Sequence, residues 1–352
     1  MASDEESFKA SIEEAIALEE AGKLKEALVK CKESRVVQDT PSAALRHCRL
    51  ARKLQLWDEA EEAGLTGIQL DPTNRKGTLP WLYGQLGVTL LDRNTVDGGK
   101  EHLARARDYF CKATEVGQIS EHYVFLGTTY MRTGDHTLAE QNLRKALELE
   151  PTYEEAMYNL AELLRESAPD EALALYRKSL EIDPNYAEAY RGLACVFYYS
   201  KQFEEAEDYA RRALKLKTDD WCAHTILGRI LKRKKKFKAA KEELERGAEL
   251  GMGSFDAQWP LASFYEDRGN LHEAAEAYRK CLVLEPEDVW ANRRYGAVLA
   301  DLGETVQARA FFERALALGP LNEKSKDYLD KLSTLRPYRQ LRKRRTPGRN
   351  QK

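Results

Sequence analysis

The sequence predicts an all-α fold in which antiparallel helix pairs stack one after another as an α-solenoid. Two observations predict it: similar phrases recur at a fixed interval, and small and bulky residues keep fixed places within that interval. The phrases ALELEP, SLEIDP, LVLEP and LALGP end at residues 151, 184, 286 and 320, so their intervals are 33, 102 and 34 residues. Because 102 is three times 34, this stretch indicates one supersecondary unit repeated about every 34 residues.

The unit at 120–153 shows why each period is expected to be a helix pair. Its fixed residues are, in order, Leu126, Gly127, Tyr130, Ala139, Leu143, Ala146 and Pro151. We count places from the first residue of each repeat, so that residue 120 is place one here. Places seven, eight and eleven share one face of a first helix, and places twenty, twenty-four and twenty-seven share one face of a second. Small residues at places eight, twenty and twenty-seven let the two backbones approach, bulky residues fill the space between them, and proline at place thirty-two ends the second helix.

This arrangement resembles the tetratricopeptide repeat family. The resemblance implies a right-handed superhelical solenoid of eight to nine repeats with a C-terminal capping helix. The predicted organisation is divergent repeats over 1–119 with a turn-rich insertion near 92–100, and six well-matched repeats over 120–322 that begin at 120, 154, 187, 221, 255 and 289. A capping helix is expected over 323–335 and a disordered basic tail over 336–352, which holds eight bases and no acid.

The resemblance also implies a concave groove lined by the first helices, with places two, five, six, nine, twelve and thirteen of each repeat facing or flanking it. The groove is expected to hold a peptide or a helix of a partner protein. The candidate partner-binding residues are Phe125, Met131, Tyr158, Asn159, Arg165, Arg191, Tyr198, Tyr199, Arg229, Lys232, Arg233, Trp259, Trp290, Arg293 and Arg294. Aromatic residues and arginine are the types enriched at binding hot spots, although several of these aromatics could instead fill the seam to the next repeat.

Family members that bind chaperone C-termini use a lysine and asparagine clamp across successive repeats. Only Asn159 matches the residue type that the clamp requires, while Val124 and Thr128 occupy two clamp places that would need lysine and asparagine. Binding to chaperone C-termini is therefore not expected.

The segment KRKKKFKAAK, residues 232–241, is predicted to cross the turn between the two helices of the repeat that begins at 221. A solvated corner, an anion-facing patch and a nuclear import signal all remain open for it. Place fifteen is glycine at 134, 269 and 303 but Lys235 here, so this lysine is expected in a left-handed conformation that costs about 1 kcal/mol. The basic tail over 336–352 could be a nucleic-acid arm, bind an acidic protein, serve as a nuclear signal or dock on the acidic body.

Composition favours a soluble intracellular protein. The chain has 56 basic and 58 acidic residues, an acidic start, no run of eighteen apolar residues and six scattered cysteines. A cytoplasmic location is expected, with a nuclear one as the alternative.

No catalytic motif is present, and the six histidines share no ligand spacing. The adjacent His47 and Cys48 diverge by about 100° on a helix and cannot easily share a reacting group. We therefore expect no enzymatic activity, no cofactor and no metal.

The leading hypothesis is an adaptor that holds a partner peptide or helix in its groove. The alternative is nucleic-acid binding along a basic track, helped by the basic tail; the track comprises Arg191, Arg229, Lys232, Arg233, Arg293 and Arg294. A third hypothesis is assembly into homo-oligomers through an exposed end repeat.

Overall fold

The computed structural model describes residues 2–319, and this part of the chain consists of eighteen α-helices without a strand. Consecutive helices pack as nine antiparallel pairs. The chain divides into two compact units, with the division between residues 184 and 185. The expected capping helix at 323–335 and the basic tail at 336–352 lie outside the described residues.

Unit 1 contains five helix pairs. They are α1 (Ala2–Glu20) with α2 (Leu24–Val37), α3 (Pro41–Lys53) with α4 (Trp57–Leu70), α5 (Leu79–Asp97) with α6 (Lys100–Val116), α7 (Ser120–Thr133) with α8 (His136–Leu149), and α9 (Glu154–Leu164) with α10 (Pro169–Ile182). Each second helix also packs against the first helix of the next pair, so the unit is a continuous stack.

Unit 2 contains four helix pairs built in the same way. They are α11 (Ala187–Tyr199) with α12 (Phe203–Leu216), α13 (Trp221–Arg233) with α14 (Phe237–Leu250), α15 (Phe255–Arg268) with α16 (Leu271–Leu284), and α17 (Val289–Leu302) with α18 (Thr305–Leu318). Helices α7, α9, α11, α13, α15 and α17 begin at the six residues where the sequence pattern places the start of a repeat.

The structure differs from the expected turn over 92–100. Helix α5 continues to Asp97, and only Gly98 and Gly99 separate it from α6. Arg93 pairs with Asp97 one turn later at 3.4 Å and with Asp58 of α4 at 2.8 Å, which supports the additional helical turn. The extra residues of this pair therefore extend a helix instead of forming a loop.

Close approach of the two backbones explains the small residue at place eight. A Cβ atom added to Gly228 would lie 2.6 Å from Leu244 Cγ, and one added to Gly127 would lie 2.8 Å from Leu143 Cγ. In both pairs the leucine of the second helix occupies the volume that a side chain on the first helix would need. Larger residues at place eight would force the two helices apart.

The turn inside a pair requires a left-handed residue at place fifteen. Gly134, Gly269 and Gly303 have φ values of 84°, 79° and 90° there. Lys235 in the basic segment has φ 61°, which confirms the conformation expected for it, and Lys201 occupies the same place with φ 62°.

We predict that Gly269→Ala lowers the free energy of unfolding by about 1 kcal/mol, because an L-residue is strained at its φ of 79°. Nothing lies within 4 Å of the added Cβ, so the loss measures backbone strain alone. Gly253→Ala is the matched control: its site is equally open, and its φ lies outside the left-handed region. Urea titration of both variants checks the prediction, and equal stabilities would contradict it.

Candidate functional site

The candidate site is the first-helix face of unit 2, defined by places two, five, six, nine, twelve and thirteen of α11, α13, α15 and α17. Helix α13 contacts both α11 and α15, so these first helices lie side by side. Successive turns of each helix bring its residues at places five, nine and twelve to one side. The predicted residues of this unit therefore fall into a few local groups.

The first group is the arginine–tyrosine cluster, which comprises Tyr198 and Tyr199 of α11 with Arg229 and Arg233 of α13. The guanidinium of Arg229 lies 4.8 Å from the ring centre of Tyr198 and 5.6 Å from that of Tyr199. Arg229 Nη2 donates to Tyr199 Oη at 3.3 Å, and Arg233 Nε donates to Tyr198 Oη at 3.3 Å. The Tyr198 ring is buried, whereas 58% of Tyr199 is exposed.

Arg191 and Lys232 of the predicted basic track are paired with carboxylates. Arg191 Nη1 lies 2.9 Å from Asp220 Oδ2, and Asp220 also accepts hydrogen bonds from the first backbone N–H groups of α13. Lys232 Nζ lies 2.6 Å from Asp267 Oδ2 of α15. Each ion pair joins one first helix to the start or the face of the next.

A second group surrounds Trp259, and it is largely packed. The Trp259 ring stacks on Phe255 at 5.6 Å and meets the buried Tyr278 edge-on at 5.4 Å. Tyr278 donates its hydroxyl to Glu266 Oε2 at 2.7 Å, and Arg294 Nη2 lies 2.9 Å from the same oxygen. Of the two predicted groove residues here, Trp259 thus packs within the α15–α16 pair, and Arg294 joins α17 to α15.

The third group is Trp290 with Arg293 on α17. The Arg293 guanidinium lies 4.2 Å from the centre of the Trp290 ring, within cation–π distance. The tryptophan nevertheless keeps 43% of its surface exposed. It offers a large apolar surface on the first-helix face.

The candidates in unit 1 are mostly packing residues. Phe125 stacks on the buried Phe110 at 5.4 Å, and Tyr158 lies 6.0 Å from the ring of the buried Tyr176. Arg165 Nη1 lies 2.9 Å from Glu162 Oε2, and Glu162 also accepts the Tyr176 hydroxyl. Met131 and Asn159 are partly exposed. The interpretation of these aromatics as seam filler applies to Phe125 in particular.

The basic segment at 232–241 forms the turn between α13 and α14, as the sequence indicates. Lys234 and Lys236 reach the carboxylate of Glu207 on α12 at 2.8 and 3.4 Å. Although partial burial opposes ionisation, these lysines and Arg211 lower the pKa of Glu207 to about 2. The preceding pair therefore partly neutralises the charge of this segment.

One exposed aromatic was missed by the sequence analysis. Trp81 lies at place two of α5, as Trp290 does in α17, and 40% of it is exposed, with its ring 5.2 Å from His122. Its position at place two, which it shares with Trp290, could have identified it, but the third repeat matches the pattern only weakly. The sequence analysis also did not identify Asp220 and Glu266 as the buried carboxylates that pair with Arg191 and Arg294.

Within residues 2–319, no helix is both long enough and apolar enough to span a lipid bilayer. In the same part of the chain, no group of three or more His, Cys, Asp or Glu side chains is arranged to hold a metal ion.

Comparison with protein families identifies repeats between residues 118 and 323. Three family models described as tetratricopeptide repeat match residues 118–185, residues 163–208, and residues 191–257 with 260–323. Together they cover more than half of the chain.

Similar individual proteins come from a curated and a structural comparison. The human protein O-mannosyl-transferase TMTC1 is 25% identical over 219 residues, which are 60% of this chain but only 24% of that protein. The structure of Pseudomonas aeruginosa pilF has a TM-score of 0.50 with 22% identity and covers 63% of this chain and 98% of its own. YrrB, described as a tetratricopeptide repeat protein with an unusual peptide-binding site, has a TM-score of 0.41 with 25% identity over 54% of this chain and 97% of its own.

We predict that Glu266→Ala lowers the free energy of unfolding by about 2 kcal/mol, because it removes the buried carboxylate that Tyr278 and Arg294 share. Asp267→Ala is the matched control on the next residue: its carboxylate is half exposed and pairs with Lys232, so a loss below about 1 kcal/mol is expected. Urea unfolding of the two variants measures the difference. An equal loss in both would show that the network around Glu266 does not hold α15 to α17.

Proposed function

Because the chain belongs to the tetratricopeptide repeat family, we propose that it is an adaptor that holds a peptide or helix of a partner protein against the first-helix face. The chain is a repeat scaffold of the kind used for protein interactions, and proteins of this family generally bind protein partners. The choice of this face, and of unit 2, is our proposal.

The distribution of exposed aromatic residues carries the proposal. In the described part of the chain, the aromatic side chains with the most exposure are Trp81, Tyr199, Trp290 and Phe237, and the first three lie on first helices. Exposed aliphatic residues such as Val29, Val283 and Val306 lie mainly on second helices. Exposed aromatic rings beside arginines are typical of binding hot spots, since they give large contacts with little loss of rotamer entropy.

Proteins with this fold are generally non-enzymatic scaffolds, and we extend this to the present chain. The human relative is named a transferase, but the chain spans about a quarter of its length, so its activity is not carried over. A cytoplasmic location, with a nuclear alternative, stays a prediction from composition. Homo-oligomerisation through an end repeat also stays a hypothesis, which light scattering would test.

The nucleic-acid alternative has less support than peptide binding. Three of the six bases on the proposed track, Arg191, Lys232 and Arg294, form ion pairs with carboxylates. Phosphates would have to displace these partners, and α15 would present the half-exposed Asp267 to the same strand. The basic tail, which the alternative also uses, lies outside the described residues.

We therefore expect no retarded band when the full chain is mixed with single-stranded RNA at about 50 mM salt in a gel-shift assay. Counterion release makes affinity that rests on phosphate contacts fall steeply with salt. A band at low salt that disappears as the salt is raised would favour the nucleic-acid alternative over the adaptor.

Partner capture tests the adaptor proposal directly. We predict that Tyr199→Ala with Trp290→Ala reduces capture of native-cell partners by about 10-fold or more, because each truncation removes an exposed hot-spot ring. These residues are preferable to Tyr198 and Trp259, which pack against the core and whose loss would disturb folding. Val283→Ala, on the second helix α16 and 69% exposed, is the matched control and should capture partners like the parent.

Quantitative mass spectrometry of the captured proteins provides the readout, with circular dichroism to verify that each variant is folded. If the folded double variant captures the same partners in the same amounts as the parent, the first-helix face of unit 2 is not the binding surface.

A further inference from the structure

The arginine–tyrosine cluster has an unbalanced positive charge. Neither Arg229 nor Arg233 forms an ion pair with a carboxylate of the described residues; their contacts are with the two tyrosines. On the same face, Arg191, Lys232 and Arg294 each have a carboxylate within 2.6 to 2.9 Å. The two arginines of the cluster therefore retain their positive charge, whereas carboxylates neutralise these other bases of the face.

The spacing of the two arginines brings two positive charges close together. They are four residues apart on α13, so their side chains lie on the same side of the helix one turn apart. Like charges in this relation repel each other. The tyrosines hold both guanidiniums in place without neutralising them.

The positive potential also acts on Tyr198. Burial of its ring opposes ionisation, yet hydrogen bonds and charges from Arg233 and Arg229 lower the pKa of this phenol below its usual range. The same field would stabilise any other anion that approaches the two arginines.

Hydrogen-bond donors remain for such an anion. The hydrogen bond of Arg233 uses Nε, which leaves both terminal nitrogens of this exposed side chain for a ligand. Two parallel N–H groups of one guanidinium match the two oxygens of a carboxylate. Arg229 uses one terminal nitrogen for Tyr199 and has further N–H groups.

The positive area is small. Lys232, between the two arginines in sequence, is paired with Asp267, and α15 continues the face with Glu266 and Asp267. A chain of phosphates would meet the half-exposed carboxylate of Asp267 directly after the cluster. A single anionic group followed by neutral or apolar groups fits better, since Tyr199 offers an exposed ring beside the arginines.

We propose that the arginine–tyrosine cluster binds the side-chain carboxylate of an acidic residue within the partner peptide, while a neighbouring apolar residue of that peptide packs on Tyr199. This inference rests on the proposed function and adds the chemistry that the partner must carry. The exposed Trp290 lies on α17, two pairs beyond α13 in the same unit, and is a second place that a longer peptide could contact.

Synthetic peptide pools test the inference. Each pool contains fluorescein-labelled, C-terminally amidated peptides with a fixed central residue and randomised neutral flanks; the central residue is Glu, Gln or phosphoserine. A fourth pool has Gln at the centre and a free C-terminal carboxylate. Fluorescence anisotropy with the full chain is expected to give about 10-fold tighter binding of the Glu pool than of the Gln pool, as expected for one charge-assisted hydrogen-bonded pair.

Variants assign this preference to the cluster. Arg229→Gln with Arg233→Gln should reduce binding of the Glu pool to the level of the Gln pool. Lys215→Gln with Lys238→Gln removes the same charge from exposed positions on second helices and should preserve the preference. Because Arg229 is partly buried, the single variant Arg233→Gln, on an exposed side chain, provides a second test and should lose most of the preference.

Each other outcome overturns a defined claim. Equal binding of the Glu and Gln pools, or a preference that survives in the folded arginine variants, overturns the carboxylate site and leaves the adaptor proposal intact. Tighter binding of the phosphoserine pool, or of the free-carboxylate pool, would show that the cluster binds a phosphate group, or a C-terminal carboxylate, instead of an acidic side chain. If no pool binds, both this inference and binding of peptides to the first-helix face are rejected.

Discussion

Close contact between the two helices of a pair is the constraint on which the rest of the structure depends. At Gly228 and Gly127 the opposing leucine occupies the volume of the absent side chain, so the two backbones are held at a short, fixed separation. The first helix then has one side committed to its own pair and another to its neighbours. What remains is a single side, and the residues on it, Tyr199 and Trp290 among them, are the ones available for binding.

Ion pairs use much of the charge on that side. Asp220, Glu266 and Asp267 each hold a base of an adjacent first helix at 2.6 to 2.9 Å. A sequence rich in arginine on one face therefore does not produce a uniformly positive surface, because carboxylates of neighbouring pairs form ion pairs with three of the six bases. Such pairs add modest stability when exposed and more when the carboxylate is buried. They also restrict the surface that can attract an anion to a few positions.

The repeat spacing was sufficient to predict the helix starts from residue 120 onward, since small and bulky residues at fixed places leave one way to pair the helices. It could not predict which side chains meet across pairs. Arg191 and Asp220 are separated by 29 residues and Lys232 and Asp267 by 35, so no single offset identifies them. Helical extension to Asp97 and exposure of Trp81 were missed in the divergent repeats, where the spacing pattern is weak.

A structure in which local and tertiary preferences agree almost everywhere makes its exceptions informative. In the described part of unit 2, glycine at place fifteen of α15 and α17, alanine at the contacts and paired charges on the face all favour the observed fold. Two arginines one turn apart, held by tyrosines and without a carboxylate partner among the described residues, repel each other, and contacts of the fold leave no other pair of bases on this face in that state. Such unpaired like charges, which depart from the local preferences of the fold, are expected at sites where a protein binds a ligand. The missing partner of Arg229 and Arg233 is therefore best explained as a group that another molecule brings.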